Sequence, residues 1–206
     1  ITAQGVREVC LIVGWKAEVI REYFGDGSML GIDINYAMQE VQDGTGKAPE
    51  LAKRFVGDDS FLLTYGDILV RADTYAQMIA RFGEDDFSGL ITVTPGEDVR
   101  KGAINFFDNS FCLKKIVEKP SDEQLNKLRT EGWLKDTEPI WYNAGIYIFK
   151  PVLFDHTAKL QKSPRGEFEL TDAIETMIDA SETIAGAKIE GRWIDVRDPE
   201  VLKSLG

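Results

Sequence analysis

Short apolar runs alternate with amphipathic stretches along the first half of the chain. Val6–Val13 is an apolar run that stops at Gly14, and Lys16–Phe24 then carries apolar residues at helical spacing. Further strand-like runs and helical stretches follow in turn, at 32–38, 47–55, 60–65, 72–82 and 89–94. Alternation of this kind is typical of βαβ units around a mostly parallel sheet. The first half is therefore predicted to be α/β.

The second half is predicted to mix strand directions. Gly102–Phe107 and Phe111–Glu118 flank the compact turn Asp108-Asn109-Ser110, which favours an antiparallel hairpin. Tyr142–Phe149 is predicted to be a strand, and further elements follow at 152–161, 169–180 and 183–189, with Pro199 opening a last helix. No repeat, low-complexity segment or Gly/Ser linker interrupts the sequence, so one continuous domain over 1–206 is predicted.

Charge and composition narrow the classes of function. The chain has 24 Lys and Arg against 35 Asp and Glu, a formal net charge of −11, and such a surface disfavours nucleic acid as a partner. No apolar run approaches the roughly 18 residues that span a bilayer, so a cytoplasmic protein without a membrane partner is predicted. With His156 as its one histidine and Cys10 and Cys112 as its only cysteines, the chain offers little for a Ser-His-Asp triad, a histidine-rich metal site or a disulfide framework.

The segment after the second predicted strand is a candidate ligand loop. Gln39 carries a donor and an acceptor, which suits the edge of a nucleobase, and Gly44-Thr45-Gly46 lets a backbone approach a ligand closely. A following helix would offer free amide groups at its N-terminus. A plain strand-to-helix turn with Thr45 as the cap explains the same residues.

Carboxylates follow or end other predicted strands. Asp67 comes after the strand at 60–65, and Asp195 lies in the short apolar run Trp193-Ile194-Asp195-Val196. Ligands of open α/β sheets bind at the carboxyl ends of strands, and carboxylate oxygens suit Mg²⁺. We therefore expect the Asp67 and Asp195 carboxylates to lie within about 5 Å of each other around one Mg²⁺. The alternative for Asp67 is an ordinary helix N-cap.

Two further segments fit a sugar phosphate. Glu118-Lys119-Pro120 ends a strand with a carboxylate that can accept from sugar hydroxyls and an ammonium that can bind phosphate. Asn143-Ala144-Gly145 puts an amide beside two small residues, where a ligand can approach closely. Each segment taken alone is more typical of a solvated strand end.

Taken together and in order, these segments resemble the sugar-1-phosphate nucleotidyltransferases over essentially the whole chain. Besides the residues above, the resemblance includes Lys101-Gly102-Ala103, the strand 143–149, and the run Gly166-Glu167-Phe168-Glu169-Leu170-Thr171-Asp172. It implies a Rossmann-like α/β fold, a mostly parallel mixed sheet with an inserted sugar-binding β-subdomain. Residues 1–100 would form the nucleotide-binding part, and 101–206 the sugar-binding part with the second metal ligand.

The resemblance also implies a reaction and a role for each matched residue. A nucleoside triphosphate and a sugar 1-phosphate would give a nucleotide sugar and pyrophosphate, with Mg²⁺ as cofactor. Gln39 and Gly44-Thr45-Gly46 would hold the base, and Asp67 and Asp195 the metal. The sugar side would be formed by Gly102, Glu118, Lys119 and Asn143, with Lys119 touching the phosphate. The catalytic residues would be Lys119, Asp67 and Asp195.

The sequence departs from the family pattern at two places. The family opens with a Gly-rich loop that contains an arginine, followed by a lysine, and this sequence begins beyond them. We therefore expect the 206-residue chain alone to show little turnover. The run Val196-Arg197-Asp198-Pro199 also replaces the commoner Val-Gly-Thr-Pro after the metal aspartate.

Other functions remain open at the level of the sequence. A regulatory domain that binds a nucleotide sugar without catalysis would keep the same pocket. A glycosyltransferase would want an Asp-x-Asp pair, and Gly66-Asp67-Ile68-Leu69 offers one carboxylate. The identity of the base and the sugar, and assembly into a homo-oligomer, are left open by the sequence.

Overall fold

The predicted α/β class is confirmed by the structure, a computed structural model that describes residues 2–196 and 199–203. The described chain divides into two compact units. Unit 1 contains the residues up to Phe61 together with Lys150–Thr176, and unit 2 contains Leu62–Phe149 and the residues from Met177 onward. Each unit is thus assembled from separate stretches of sequence, and the single domain with a division near residue 100 stays a prediction.

Unit 1 is built on a parallel strand pair. The strands β1 (Glu8–Val13) and β2 (Asp33–Met38) pair in register from Glu8 with Asp33 to Val13 with Met38, and helix α1 (Ala17–Phe24) connects them. The predicted helix at 47–55 is instead a 3-10 turn over Ala48–Ala52 followed by the short helix α2 (Lys53–Val56). Pro49 stands in the first turn, where a helix tolerates proline, so the missing N–H does not by itself explain the 3-10 geometry.

The stretch that returns from Lys150 contributes buried apolar residues to unit 1. Helix α5 (Leu153–Thr157) buries Leu153 and Phe154, and the Phe154 ring stacks on Phe61 with the ring centroids 5.3 Å apart. The apolar stripe of α1 is different, because Val19 is 53% exposed and Tyr23 is 81% exposed. Hydrophobic spacing along α1 therefore predicted the helix correctly but does not mark a covered face.

Unit 2 is organised around a mixed sheet in the order β7-β6-β8-β5-β9, and β3 also pairs with β8. The strands are β3 (Phe61–Thr64), β5 (Gly89–Pro95), β6 (Ala103–Phe107), β7 (Leu113–Glu118), β8 (Trp141–Phe149) and β9 (Ile184–Lys188). Strand β5 runs antiparallel to β8 and parallel to β9, and β6 and β7 form the predicted antiparallel hairpin. β5 and β8 are buried along most of their length, as expected for strands inside a sheet.

A short antiparallel pair completes the strands of unit 2. Strand β4 (Ile68–Val70) pairs with β10 (Trp193–Asp195), with Asp195 opposite Ile68. The helices are α3 (Ala72–Phe82), α4 (Asp122–Thr130), α6 (Leu170–Asp179), which begins in unit 1, and α7 (Pro199–Lys203), which has Pro199 at its start as predicted.

Helix α4 was not predicted, although the sequence contains its signal. The Ser121 hydroxyl accepts a hydrogen bond from the Gln124 backbone N–H, and the Gln124 side chain accepts one from the Ser121 N–H. This reciprocal pair is a capping box, which a Ser-x-x-Gln run before a helical pattern indicates.

In the described residues, no helix combines the length and apolarity needed to cross a bilayer. Arg197 and Asp198, where the sequence departs from the family pattern, lie outside the described residues.

Candidate functional site

The candidate base-binding loop of unit 1 is held against a segment far along the chain. The Gly46 N–H donates to the Phe168 carbonyl oxygen at 2.8 Å, and the Phe168 N–H donates to the Asp43 carbonyl oxygen at 2.7 Å. Within the loop, the Gln39 side-chain amide donates to the Gly44 carbonyl oxygen at 3.2 Å. The loop is therefore fixed by backbone hydrogen bonds on both sides of Phe168.

Close backbone approach explains the glycines of this loop. Gly44 has a φ of +121°, and a β-carbon there would overlap the Phe168 backbone. A β-carbon at Gly46 would lie 2.8 Å from the Glu169 carbonyl carbon. The glycines were predicted to admit a ligand, but contacts within unit 1 already require them. Their role in binding a base stays a prediction.

Thr45 accepts a hydrogen bond from a helix that is distant in sequence. Its hydroxyl oxygen accepts from the Leu170 N–H at 3.3 Å, at the first residue of α6. The cap considered in the sequence was for the helix directly after the loop, where the 3-10 turn with Pro49 stands instead. The run 166–172 and the Gly-Thr-Gly loop thus form one local structure.

In unit 2, the predicted sugar residues meet at one end of β6, β7 and β8. The Lys119 N–H donates to the Gly102 carbonyl oxygen at 3.0 Å, which extends the hairpin by one step. A β-carbon at Gly102 would overlap the Tyr142 hydroxyl, and Tyr142 directly precedes Asn143. The structure therefore brings Gly102, Lys119 and Asn143 together from three strands.

Lys119 has an unusual backbone conformation. Its φ is +40°, in a region that side chains other than glycine rarely adopt, and it precedes Pro120, which normally favours an extended neighbour. Its ammonium lies 3.9 Å from the Glu118 carboxylate, and the Lys119 side chain is 42% exposed. Strain of this kind costs about 1–3 kcal/mol and is concentrated at functional sites.

A bulge in β8 shapes the surroundings of Asn143. Ile91 pairs with Tyr147 and Val93 with Asn143, so Thr92 alone stands opposite Ala144–Ile146. Gly145 adopts a φ of +78°, and its N–H donates to the Asn143 side-chain oxygen at 3.2 Å. Bulges re-aim side chains next to active sites. Here the bulge folds the backbone back onto the amide of Asn143.

The backbones of the predicted metal aspartates lie on adjacent strands or turns. Asp195 ends β10, and Asp67 lies in the turn between the end of β3 at Thr64 and the start of β4 at Ile68. The Val196 N–H donates to the Asp67 carbonyl oxygen at 2.8 Å, directly beyond the Asp195–Ile68 pair. The antiparallel pair of β4 and β10 thus brings the two backbones together. The expected spacing of the two carboxylates stays a prediction.

The donor set at this position suits a hard cation. Asp67 is exposed, and one carboxylate oxygen of Asp195 is buried. Among the described residues, no group of three or more His, Cys, Asp or Glu is arranged to hold a metal ion. Mg²⁺ commonly uses one or two carboxylates and takes its other ligands from water and substrate phosphates. The two aspartates therefore fit Mg²⁺ chemically.

The sequence analysis did not single out the tyrosines of β8. Tyr142 contacts Gly102, and the Tyr147 hydroxyl accepts a hydrogen bond from the Asn143 side-chain nitrogen at 2.8 Å. Both were treated as apolar strand residues, and both are buried. Their signal in the sequence is a tyrosine where phenylalanine would fill a core equally well, since a buried hydroxyl needs a partner.

Comparison with known proteins identifies the family. The family model for nucleotidyl transferases matches residues 1–203, and the chain belongs to this family. It is 31% identical over 197 residues to a low-salt glycan biosynthesis nucleotidyltransferase of Haloferax volcanii, covering 95% of this chain and 51% of that protein. It is 26% identical over 198 residues to the UTP–glucose-1-phosphate uridylyltransferase AglF of the same organism, covering 95% of this chain and 74% of AglF.

A solved structure supports the same fold. A UDP-glucose pyrophosphorylase complexed with UDP-glucose superimposes with a TM-score of 0.79 at 17% identity, covering 97% of this chain and 79% of that one. At this identity the likeness concerns the fold, which is that of a Rossmann-like nucleotidyltransferase. The chain spans about half the length of the first curated relative, with 51% of that protein covered.

Proposed function

We propose that the protein transfers a nucleotidyl group from a nucleoside triphosphate to a sugar 1-phosphate, giving a nucleotide sugar and pyrophosphate. Membership of the nucleotidyl transferase family supports the class of reaction. The observation that carries the proposal is the cluster in unit 2, where Gly102, Glu118, Lys119 and Asn143 meet at one end of three strands. A carboxylate that accepts from sugar hydroxyls and an ammonium that binds phosphate are groups that suit a sugar phosphate, and an amide can add a hydrogen bond.

The groups of this cluster divide the recognition of the sugar phosphate between them. The half-buried Glu118 carboxylate would accept hydrogen bonds from sugar hydroxyls, and the more exposed Lys119 ammonium would bind the phosphate oxygens. Gly102 would approach the sugar through its backbone, whereas its missing side chain is already explained by the Tyr142 hydroxyl, which occupies the space of a β-carbon. Unit 1 would hold the base through Gln39 and the Gly44-Thr45-Gly46 loop.

The reaction needs positioning and charge neutralisation rather than a covalent nucleophile. An oxygen of the sugar phosphate forms a bond to the α-phosphorus of the triphosphate, and the bond from that phosphorus to the bridging oxygen breaks, releasing pyrophosphate. Lys119 would orient the attacking phosphate and reduce its repulsion from the triphosphate. This division of labour explains how the site can work without a Ser-His-Asp triad.

Asp67 and Asp195 would hold Mg²⁺, the cofactor that this chemistry implies. When bound there, Mg²⁺ neutralises negative charge on phosphate oxygens. The aspartates themselves would fix the position of that charge, because the hydrogen bond between Val196 and Asp67 ties their backbones together. The proposed partners of the protein are therefore a nucleoside triphosphate and a sugar 1-phosphate.

Replacing Lys119 with alanine tests the sugar-phosphate side of the proposal. Lys119→Ala should raise KM for the sugar 1-phosphate or lower kcat, with a loss of roughly 1.5–3 kcal/mol for a charged hydrogen bond, and should leave KM for the triphosphate nearly unchanged. Initial rates of the whole protein, with each substrate varied in turn, measure the split.

Lys127→Ala is the matched control for this variant. It removes an equally charged side chain from the exposed surface of α4, where the ammonium lies 3.7 Å from Glu131 and an ion pair contributes little. Equal weakening of both substrates by Lys119→Ala would show that Lys119 is structural. If only the KM for the triphosphate changed, Lys119 would be assigned to triphosphate binding instead.

A further inference from the structure

The buried hydroxyl of Tyr147 lies beneath the proposed sugar site. Tyr147 is 0% exposed, yet its hydroxyl oxygen accepts from the Asn143 side-chain nitrogen at 2.8 Å. Its ring packs edge-on against Tyr65, with the ring centroids 6.1 Å apart, and stacks on Phe149. The phenol thus has a fixed position, set by aromatic neighbours on both sides, and it reaches Asn143 from the core.

The orientation of the Asn143 amide follows from its partners. The Gly145 N–H can only donate, so the Asn143 atom that it meets at 3.2 Å must be the amide oxygen. The amide nitrogen therefore faces Tyr147. That nitrogen carries two hydrogens, and the bond to Tyr147 uses one of them. The second N–H is the group that Asn143, which is only half-buried, can present at the surface.

The Tyr147 hydroxyl is held in the role of an acceptor. Burial is the main cause that raises the pKa of Tyr147 well above its ordinary value, and the charge and the hydrogen bond of Tyr65 raise it further. The acceptor role itself follows from geometry, because the Asn143 amide nitrogen faces the Tyr147 hydroxyl at 2.8 Å and can only donate.

Glu118 belongs to the same neighbourhood. Its charge also contributes to the raised pKa of Tyr147, although less than burial and Tyr65 do. Because the pKa of Tyr147 is raised, its hydroxyl stays protonated at neutral pH and adds no negative charge to that of Glu118.

We propose that Tyr147 is a positioning residue that fixes Asn143 as a hydrogen-bond donor to the sugar. This inference rests on the proposed function. It gives the two side chains opposite hydrogen-bonding roles toward the sugar, because Asn143 donates and Glu118 accepts. The sugar position that faces Asn143 must then carry an oxygen that can accept, such as a hydroxyl. A sugar phosphate with hydrogen at that position would bind less well.

Tyr147→Phe removes the hydroxyl and keeps the ring. In the whole protein it should raise KM for the sugar 1-phosphate about tenfold, as the loss of one ordered hydrogen bond would, and leave KM for the triphosphate unchanged. In an Asn143→Ala background the same change should alter KM for the sugar 1-phosphate by less than about twofold, because the side chain through which Tyr147 acts on the sugar is absent. Tyr75→Phe, at a half-buried tyrosine of α3, should change neither constant.

A second readout does not depend on catalysis. In the NMR spectrum of the whole protein, the Asn143 side-chain amide hydrogen that bonds to Tyr147 should exchange more slowly with water than the other one, and Tyr147→Phe should speed its exchange. A faster exchange with unchanged KM for the sugar 1-phosphate would overturn the positioning role and leave the proposed function standing. Equal losses for both substrates, or unchanged amide exchange, would also overturn it. Absence of turnover by the wild-type protein with every sugar 1-phosphate would instead contradict the proposed function.

Discussion

Asp67→Asn and Asp195→Asn are each expected to lower kcat of the whole protein about 100-fold or more, the scale of losing a preorganised charge contact to the transition state. Asparagine keeps the size of the side chain and removes the charge that would hold Mg²⁺. Each variant should stay folded, and its melting temperature should stay the same or rise, because two neighbouring carboxylates repel each other without a metal. Initial rates over a Mg²⁺ titration, with melting curves, measure both effects.

The double variant sharpens this test. If both aspartates hold one ion, removing the second should slow the reaction by only a few fold more, since residues that act as a unit are not additive. Asp73→Asn is the control, because Asp73 is an exposed acid of unit 2 in an ion pair with Arg71. If the fold-loss in kcat of the double variant equalled the product of the two single losses, a shared ion would be contradicted. If kcat were unchanged in the single variants, the metal assignment would be wrong.

Gly145→Ala is expected to destabilise the protein by about 2–4 kcal/mol, from strain at a positive φ together with overpacking. The new β-carbon would lie 2.8 Å from the Tyr65 ring and 3.3 Å from the Ile68 side chain. The Tyr65 backbone is held close, because its N–H donates to the Gly145 carbonyl oxygen at 3.2 Å, and Ile68 is buried. Urea unfolding measures the change.

Gly132→Ala separates the two causes. Gly132 has a φ of +80°, close to the +78° of Gly145, but a β-carbon there meets nothing within 4 Å. This control should cost about 1–2 kcal/mol from backbone strain alone. Equal losses for the two variants would show that the close approach at Gly145 has no energetic weight.

Regular elements could be predicted where a local pattern specifies them. β5 and β8 are long apolar runs, and α3 was predicted over 72–82, where the structure has Ala72–Phe82. Helix α2 and the 3-10 turn before it occupy the stretch that was predicted as one helix, and the apolar spacing along 47–55 does not distinguish the two forms. Strand β4 was missed, since Ile68–Val70 is too short to show any periodicity and is defined by its partner β10.

The geometry of the candidate site depends more than the regular elements do on residues that are distant in sequence. The Gly44-Thr45-Gly46 loop resembled a ligand loop because glycines indicate close approach, and the segment that approaches begins at Phe168. No local pattern contains that contact. The bulge of β8 is likewise defined by Thr92 on the neighbouring strand, whose hydroxyl donates to the Ile146 carbonyl oxygen at 2.7 Å. The order of the motifs along the sequence therefore indicated the candidate site residues, whereas their geometry is determined by contacts between distant segments.

Pyrophosphate release by the whole protein tests the proposed function most directly. A panel of nucleoside triphosphates should be screened against several hexose 1-phosphates, with and without Mg²⁺. The account predicts release only when Mg²⁺, one triphosphate and one sugar 1-phosphate are present together, with one nucleotide sugar formed for each pyrophosphate. Binding of a nucleotide sugar without pyrophosphate release from any pair would contradict it, because a regulatory domain gives that result.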